Sequence, residues 1–297
     1  MGINNDHKAV RLEACIKIRN IAAHTCLLTL QQIVNKKEKI SEMNFRNRWN
    51  KELEKEWKSG FIDCWYDPPP GGIASIFCKE EDYNRLNYPT LRDKKYWPRP
   101  DVFFQNEGFG YIFVSPYTMF QNLPIIGDFG MTYYLGEMVK MRDHYRKSYV
   151  VYTELIDSIK AGMTFQELCV FSEKTLKNHN LVSFVVGKTD KTGFDFGHTV
   201  PFIDRDPDKA ETSKVNSGNP DQINKAISEA RIFINRQEKY EISDNCAFTF
   251  EPRITSLDHN LPIFSFHTII LFEKGIKKVL SNFDGIINLL GMEWLRE

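Results

Sequence analysis

Apolar residues recur at helical spacing from near the start of the chain. Val10, Ala14, Ile18, Ile21, Ala22 and Leu28 share one face of a 3.6-residue period, which predicts a long amphipathic helix over residues 8–34. A charged bridge, residues 35–39, follows it. Ser41 then supplies an N-cap and Glu42 an acid in the first turn, predicting a second helix to about Lys58. The arrangement recurs further on. Residues 141–160 form the next amphipathic helix, Gly162 suits a left-handed turn after it, and Thr164-Phe165-Gln166-Glu167 reads as a capping box. Ile40-Ser41 and Met163-Thr164 correspond at an offset of 123 residues (163 − 40). Two copies of helix, short turn and capped helix at that separation predict an internally duplicated unit.

Strand-like segments follow each helix pair. They cover residues 72–78, 111–114 and 125–134 in the first half, and 182–186, 246–250, 264–272 and 277–280 in the second. Several alternate apolar with other residues, as in an antiparallel sheet with helices on one face. Residues 204–222 are rich in Asp, Lys, Ser, Asn and Pro and read as a surface loop between strands of one sheet. The prolines of Asp67-Pro68-Pro69-Pro70-Gly71-Gly72 make a stiff loop. The fold class is therefore α+β: a duplicated unit of helix pair plus antiparallel sheet. A single domain, residues 1–297, divides into halves of about 1–135 and 136–297.

Composition narrows the function classes. A hydrophobic fraction of 42% with 26% charged residues is that of a soluble globular chain with a real core. Lys plus Arg (39) balances Asp plus Glu (39), which excludes a nucleic-acid binder or polybasic membrane-surface protein that works through excess positive charge. No run of about 18 apolar residues predicts a membrane span. The first fifteen residues lack the apolar core of an export signal, and the six cysteines form no CxxC pair. They read as reduced, buried thiols of a cytoplasmic protein.

Three strings could carry chemistry: Gly127-Asp128 to Thr132, Phe196-Gly197-His198, and Phe248 to Glu251-Pro252. Singly, each has a plain explanation. The Asp can be a turn former, the His a satisfied core residue, and the Glu the end of a strand. Together, one His and two carboxylates from separate strands are the hard O/N donors that hold a divalent ion.

The order of these strings resembles the creatinase/methionine aminopeptidase, or pita-bread, metallohydrolases, which include Xaa-Pro aminopeptidase and prolidase. Gly197-His198 is similar to the family's Gly-His motif, Phe250-Glu251-Pro252 to its strand ending in Glu-Pro, and Asp128 through Thr132 to its Asp-x-x-x-Thr string. Residues 158–169 are similar to its helix junction. The resemblance covers nearly the whole chain, most clearly from Gly127 onward. It implies the pita-bread fold with pseudo-twofold symmetry, and attack of metal-activated water on an amide C–N bond.

In that family two Asp, one His and two Glu hold two metal ions. The resemblance carries Asp128, His198 and Glu251 onto three of these places. The other two fall on Tyr117, eleven residues before Asp128, and on Phe266, nine before Gly275. Paired divalent ions need bridging carboxylates to screen their repulsion, so the expectation is at most one divalent metal ion, Fe, Mn or Zn. If the chemistry is creatinase-like there is none, and His198 and Glu251 act as catalytic groups without it. Strand alternation directs His267 away from the side that Phe266 faces. Trp65, Tyr66, Trp97, Tyr117, Phe129, Phe266 and His267 are candidate walls of a pocket for a small molecule or short peptide, with plain core as the alternative. The expected function is that of a peptidase-like, metal-dependent hydrolase relative that is not an ordinary peptidase. A non-catalytic or metal-free relative used for ligand or protein binding, a lyase, or a mononuclear iron enzyme are the alternatives. The resemblance also allows a homodimer.

Overall fold

The computed structural model describes residues 5–184 and 194–297. The first half runs α1 (Asn5–Lys36), α2 (Glu42–Lys55), β1 (Asp63–Cys64), β2 (Ile73–Cys78), β3 (Phe109–Val114), β4 (Pro116–Phe120), β5 (Leu123–Ile126) and β6 (Phe129–Tyr134). The second runs α3 (Val139–Ser158), α4 (Phe165–Asn178), β7 (Leu181–Ser183), α5 (Lys209–Asn216), α6 (Pro220–Ala230), β8 (Cys246–Phe250), β9 (Ile254–Ser256), β10 (Phe266–Glu273), β11 (Ile276–Leu280) and α7 (Asp284–Leu289). A six-stranded antiparallel sheet, β11-β10-β6-β3-β2 with β8 also on β10, joins strands of both halves.

The helix pairs cover this sheet through aromatic contacts. Phe45 and Trp49 of α2 meet Phe77 and Phe129 edge-on, while Tyr145 of α3 and Phe165 of α4 meet Phe264 and Phe248. Both expected N-caps are present. Ser41 Oγ accepts from the Asn44 amide, and Thr164 with Glu167 forms a reciprocal capping box.

The duplication extends beyond the caps. Glu42 N donates to Val102 O (2.9 Å) and Phe104 N to Ile40 O (2.8 Å). In the second half Phe165 N donates to Tyr240 O (2.9 Å) and Ile242 N to Met163 O (2.8 Å). The same two bonds thus tie each capped helix start to the segment leading into the next long strand. That is the pseudo-twofold relation which the offset of 123 predicted.

Three expectations change. The strand expected over 125–134 is two strands, β5 and β6, broken at Gly127-Asp128. Gly127 lies so close to α1 that a Cβ there would stand 2.5 Å from Arg19 N. The chain changes sheets at this point. The expected surface loop over 204–222 instead contains α5 and most of the first turn of α6. Asp208 and Asn219 cap them, and Ile223, Ala226, Ile227 and Ala230 are buried at helical spacing. Polar composition concealed these caps, which are themselves polar. Of the strand expected over 182–186, Val182 and Ser183 lie in β7, and 185–186 fall outside the described residues. No helix among the described residues is long and apolar enough to cross a membrane.

Candidate functional site

Asp128 stands at the break between β5 and β6, 1% exposed. Two residues fix it. Trp65, just after β1, donates its indole Nε1–H to Asp128 Oδ1 at 2.8 Å. From α1, the Arg19 guanidinium donates to the Asp128 carbonyl oxygen.

His198 is held by backbone on both sides. Its amide donates to Thr249 Oγ1 (3.0 Å), and the Thr249 amide donates to His198 O (2.7 Å). On the other side, Thr199 N donates to Ile232 O at 2.9 Å. The glycine of the Gly-His string is required by this close packing. Gly197 has φ +135°, and a Cβ would lie 2.2 Å from Thr249 O. Glu251 continues β8 by one residue, its amide donating to Phe196 O at 2.8 Å.

The three side chains converge on one point. His198 Nε2 lies 3.6 Å from Asp128 Oδ2 and 3.9 Å from Glu251 Oε1. His198 Nδ1 lies 3.0 Å from Thr199 O. A carbonyl only accepts, so Nδ1 carries the proton and Nε2 offers its lone pair to the carboxylates. From β10, His267 Nδ1 approaches Glu251 Oε2 at 2.6 Å, off the axis of an aligned hydrogen bond. Its Nε2 lies 3.2 Å from Tyr111 Oη. Gly130 faces His267 across the β6–β10 ladder, and its missing side chain leaves space for the ring.

These groups line a recess of about 130 Å³ together with Tyr66, Tyr88, Asp195, Phe233, Arg231 and Arg253. Arg231 is 9% exposed, with its guanidinium 4.6 Å from the Trp65 ring centre and 4.9 Å from that of Phe233. Burial raises the Asp128 carboxyl to about 7, against the lowering by the Trp65 hydrogen bond. Burial and the Arg231 cation lower His198 to about 4. Burial would also raise Glu251, but His267, His198 and Arg231 outweigh it and hold that carboxyl at about 2. Near neutral pH, then, Glu251 is ionised, His198 is neutral, and Asp128 exchanges a proton readily.

Of the residues expected from sequence, Asp128, His198, Glu251, Trp65, Tyr66 and His267 come together here. Four others do not. Phe266 faces the opposite side of β10 from His267 and packs in the core 4.5 Å from the Phe283 ring. Phe129 is also core, between Trp49 and Phe283. Tyr117 is paired in register with Asp63 and Ile126, in a second apolar cluster. Trp97 donates its indole N–H to Leu91 O and closes a loop. The alternation that turns Phe266 into the core turns His267 into the recess. Sequence reading missed Arg231, Arg253, Tyr88 and Tyr111. Arg253 lay two residues beyond Glu251 and could have been flagged; Arg231 follows α6, of which only residues 220–222 fell in the expected loop.

The donor set does not fit a metal ion. Among the described residues no group of three or more His, Cys, Asp or Glu side chains is placed to hold one. One oxygen of Asp128 is bound by Trp65, one oxygen of Glu251 faces His267, and the Arg231 cation lines the same recess. A divalent ion there would compete with resident donors and meet a fixed positive charge.

No protein-family model and no curated protein sequence matches the chain. Solved structures do. A prolidase from Thermococcus sibiricus superposes with TM-score 0.59 at 14% identity, covering 92% of this chain and 59% of its own. The fold is therefore the pita-bread fold. Methionine aminopeptidase from Thermotoga maritima matches with TM-score 0.56 at 12% identity, over 91% of this chain and 96% of its own. The N-terminal domain of FACT complex subunit SPT16 from chickpea matches with TM-score 0.58 at 10% identity, over 94% and 58%. This pita-bread chain thus spans about three-fifths of the prolidase and SPT16 chains. At these identities the likeness is one of fold.

Proposed function

We propose that the recess is a small-molecule site that works by proton transfer, without a resident metal ion. It is a relative of the pita-bread hydrolases rather than an ordinary peptidase. The observation that carries this reading is the Trp65 hydrogen bond to Asp128 and the close approach of His267 to Glu251, beside the buried Arg231 cation. His198 Nε2, neutral and facing both carboxylates, is the general base. Asp128 is the proton reservoir beside it. Glu251 stays ionised and orients the ligand, and Arg231 offsets negative charge that develops on the substrate.

A second reading has one observation in its favour. Asp128 Oδ2 and Glu251 Oε1 both face His198 Nε2, as the ligands of one ion would. That ion would be Fe, Mn or Zn, with these three residues as its ligands. A binding role has the precedent that a similar fold occurs in a FACT complex subunit as well as in an X-Pro aminopeptidase.

Elemental analysis of the purified chain, with and without His198→Ala, decides between the two. The expected result is no stoichiometric metal in either protein. One equivalent of metal per chain that disappears in the variant would sink the metal-free reading.

A further inference from the structure

Two guanidinium groups line the recess without an ion-pair partner among the described residues. Arg231 is 91% buried, yet among the described residues its side-chain hydrogen bonds are to Ser228: Nε to the carbonyl at 3.3 Å and Nη2 to Oγ at 3.2 Å. Arg253 donates Nη2 to Leu86 O at 3.2 Å and lies 3.9 Å from the centre of the Tyr88 ring. Neither reaches a carboxylate within ion-pair distance among the described residues. Burying a guanidinium is costly without a directly hydrogen-bonded anion, and these two flank a recess open to a ligand. The carboxylates Asp128, Asp195 and Glu251 line the same recess and act on Arg231 through their charge, and His267 Nδ1 approaches Glu251 at 2.6 Å.

The two sites differ from the proton-transfer groups in position and in chemistry. Arg231 and Arg253 hold planar forks stacked on aromatic faces, which fixes their orientation for two-point recognition. We propose that Arg231 is a built-in cation standing in the electrostatic place of a metal, and that with Arg253 it anchors the anionic end of a small carboxylate ligand. A carboxylate suits the recess better than a phosphate. Asp128 and Glu251 share the space, and their repulsion grows with the charge of the ligand. Aromatic side chains (Tyr66, Tyr88, Phe113) offer flat walls for an unsaturated or cyclic body. This inference rests on the metal-free reading of the same site.

The test is calorimetric titration of the full chain, its metal content measured first, with benzoate, its neutral isostere benzamide, and inorganic phosphate. Benzoate is expected to bind, benzamide to bind at least about tenfold more weakly, and phosphate more weakly than benzoate. Arg253→Gln, at a partly exposed position, is expected to raise the benzoate dissociation constant about tenfold with the circular dichroism spectrum unchanged. Arg231→Lys keeps the charge but not the fork and is expected to weaken binding as well; Arg231→Met should weaken it further. Equal affinity for benzoate and benzamide, phosphate binding tighter than benzoate, or a folded Arg253→Gln protein with unchanged affinity would each overturn the proposal. A metal-free chain that binds no benzoate overturns this inference alone. A stoichiometric metal whose removal abolishes benzoate binding overturns the metal-free reading and this inference with it.

Discussion

Arg19 offers the sharpest test of how the site is assembled. It is 0% exposed and forms no ion pair among the described residues, yet its guanidinium reaches three backbone carbonyls from within α1. It donates to Asp128 O, to His267 O at 2.8 Å and to Ser281 O at 2.7 Å, and to Asn282 Oδ1 at 3.4 Å. It also stacks 4.6 Å from the Phe129 ring centre. One side chain therefore ties the break that presents Asp128 to the strand that presents His267. Burial lowers its pKa only to about 10, so it remains charged at neutral pH. Arg19→Met removes the donor to two buried carbonyls, of Asp128 and His267, and to the partly buried Ser281 carbonyl, at up to about 1–3 kcal/mol each. Relief of the buried charge returns several kcal/mol of that. The net expected loss is about 3 kcal/mol, measured by urea unfolding followed by tryptophan fluorescence. Arg19→Lys is expected to lose nearly as much, because one ammonium cannot span carbonyls on three segments. A loss below about 1 kcal/mol for Arg19→Met, with an unchanged m value, would refute the role assigned to it.

Asp128 and His198 are expected to bend the pH dependence of stability in opposite directions. Asp128 is raised from 3.8 to about 7, so the native state holds its proton and this contribution is lost as pH rises through that window. His198 is lowered from 6.5 to about 4, so the unfolded state holds its proton and stability is gained as pH rises from 4 to 6.5. Relative to the native chain, Asp128→Asn should steepen the rise with pH between about 4 and 6.5, and His198→Gln should flatten it, each by up to about 1.4 kcal/mol per pH unit. Denaturation midpoints across pH 4–8 check this, and parallel curves for all three proteins would count against it. Gly197→Ala puts a Cβ 2.2 Å from Thr249 O at φ +135° and is expected to cost several kcal/mol, read as a sharply lower unfolding temperature; near-native stability would contradict the packing. Thr164→Ala removes a capping box at α4 and is expected to cost about 1 kcal/mol in urea titration, with no change in benzoate affinity. A neutral outcome there would show that the second helix pair does not depend on its cap.

Much of the fold was legible in the chain because it is written in local signals. The caps at Ser41 and Thr164, the helical stripes and the Gly-His and Glu-Pro strings depend on neighbours a few residues away. The offset between the two caps revealed the duplication before any contact was known. Asp128, His198 and Glu251 could be named because short strings around them resemble the family's, and in the structure they sit at a strand break, beside a glycine with positive φ and at a strand end. The missed helices α5 and α6 show the limit of composition, since polar caps and loop residues are the same types.

What only the tertiary structure decided is which charges meet. Facing across strands is set by register: His267 lies opposite Gly130, and one residue's alternation separates it from Phe266 in the core. Arg19 reaches the site from more than 100 residues away in sequence, and Arg231 and Arg253 arrive from either side of β8. The sequence by itself determined the duplicated fold and the three residues at its centre. Their electrostatic partners, and with them the buried Arg231 cation, follow from long-range packing, which no local pattern records.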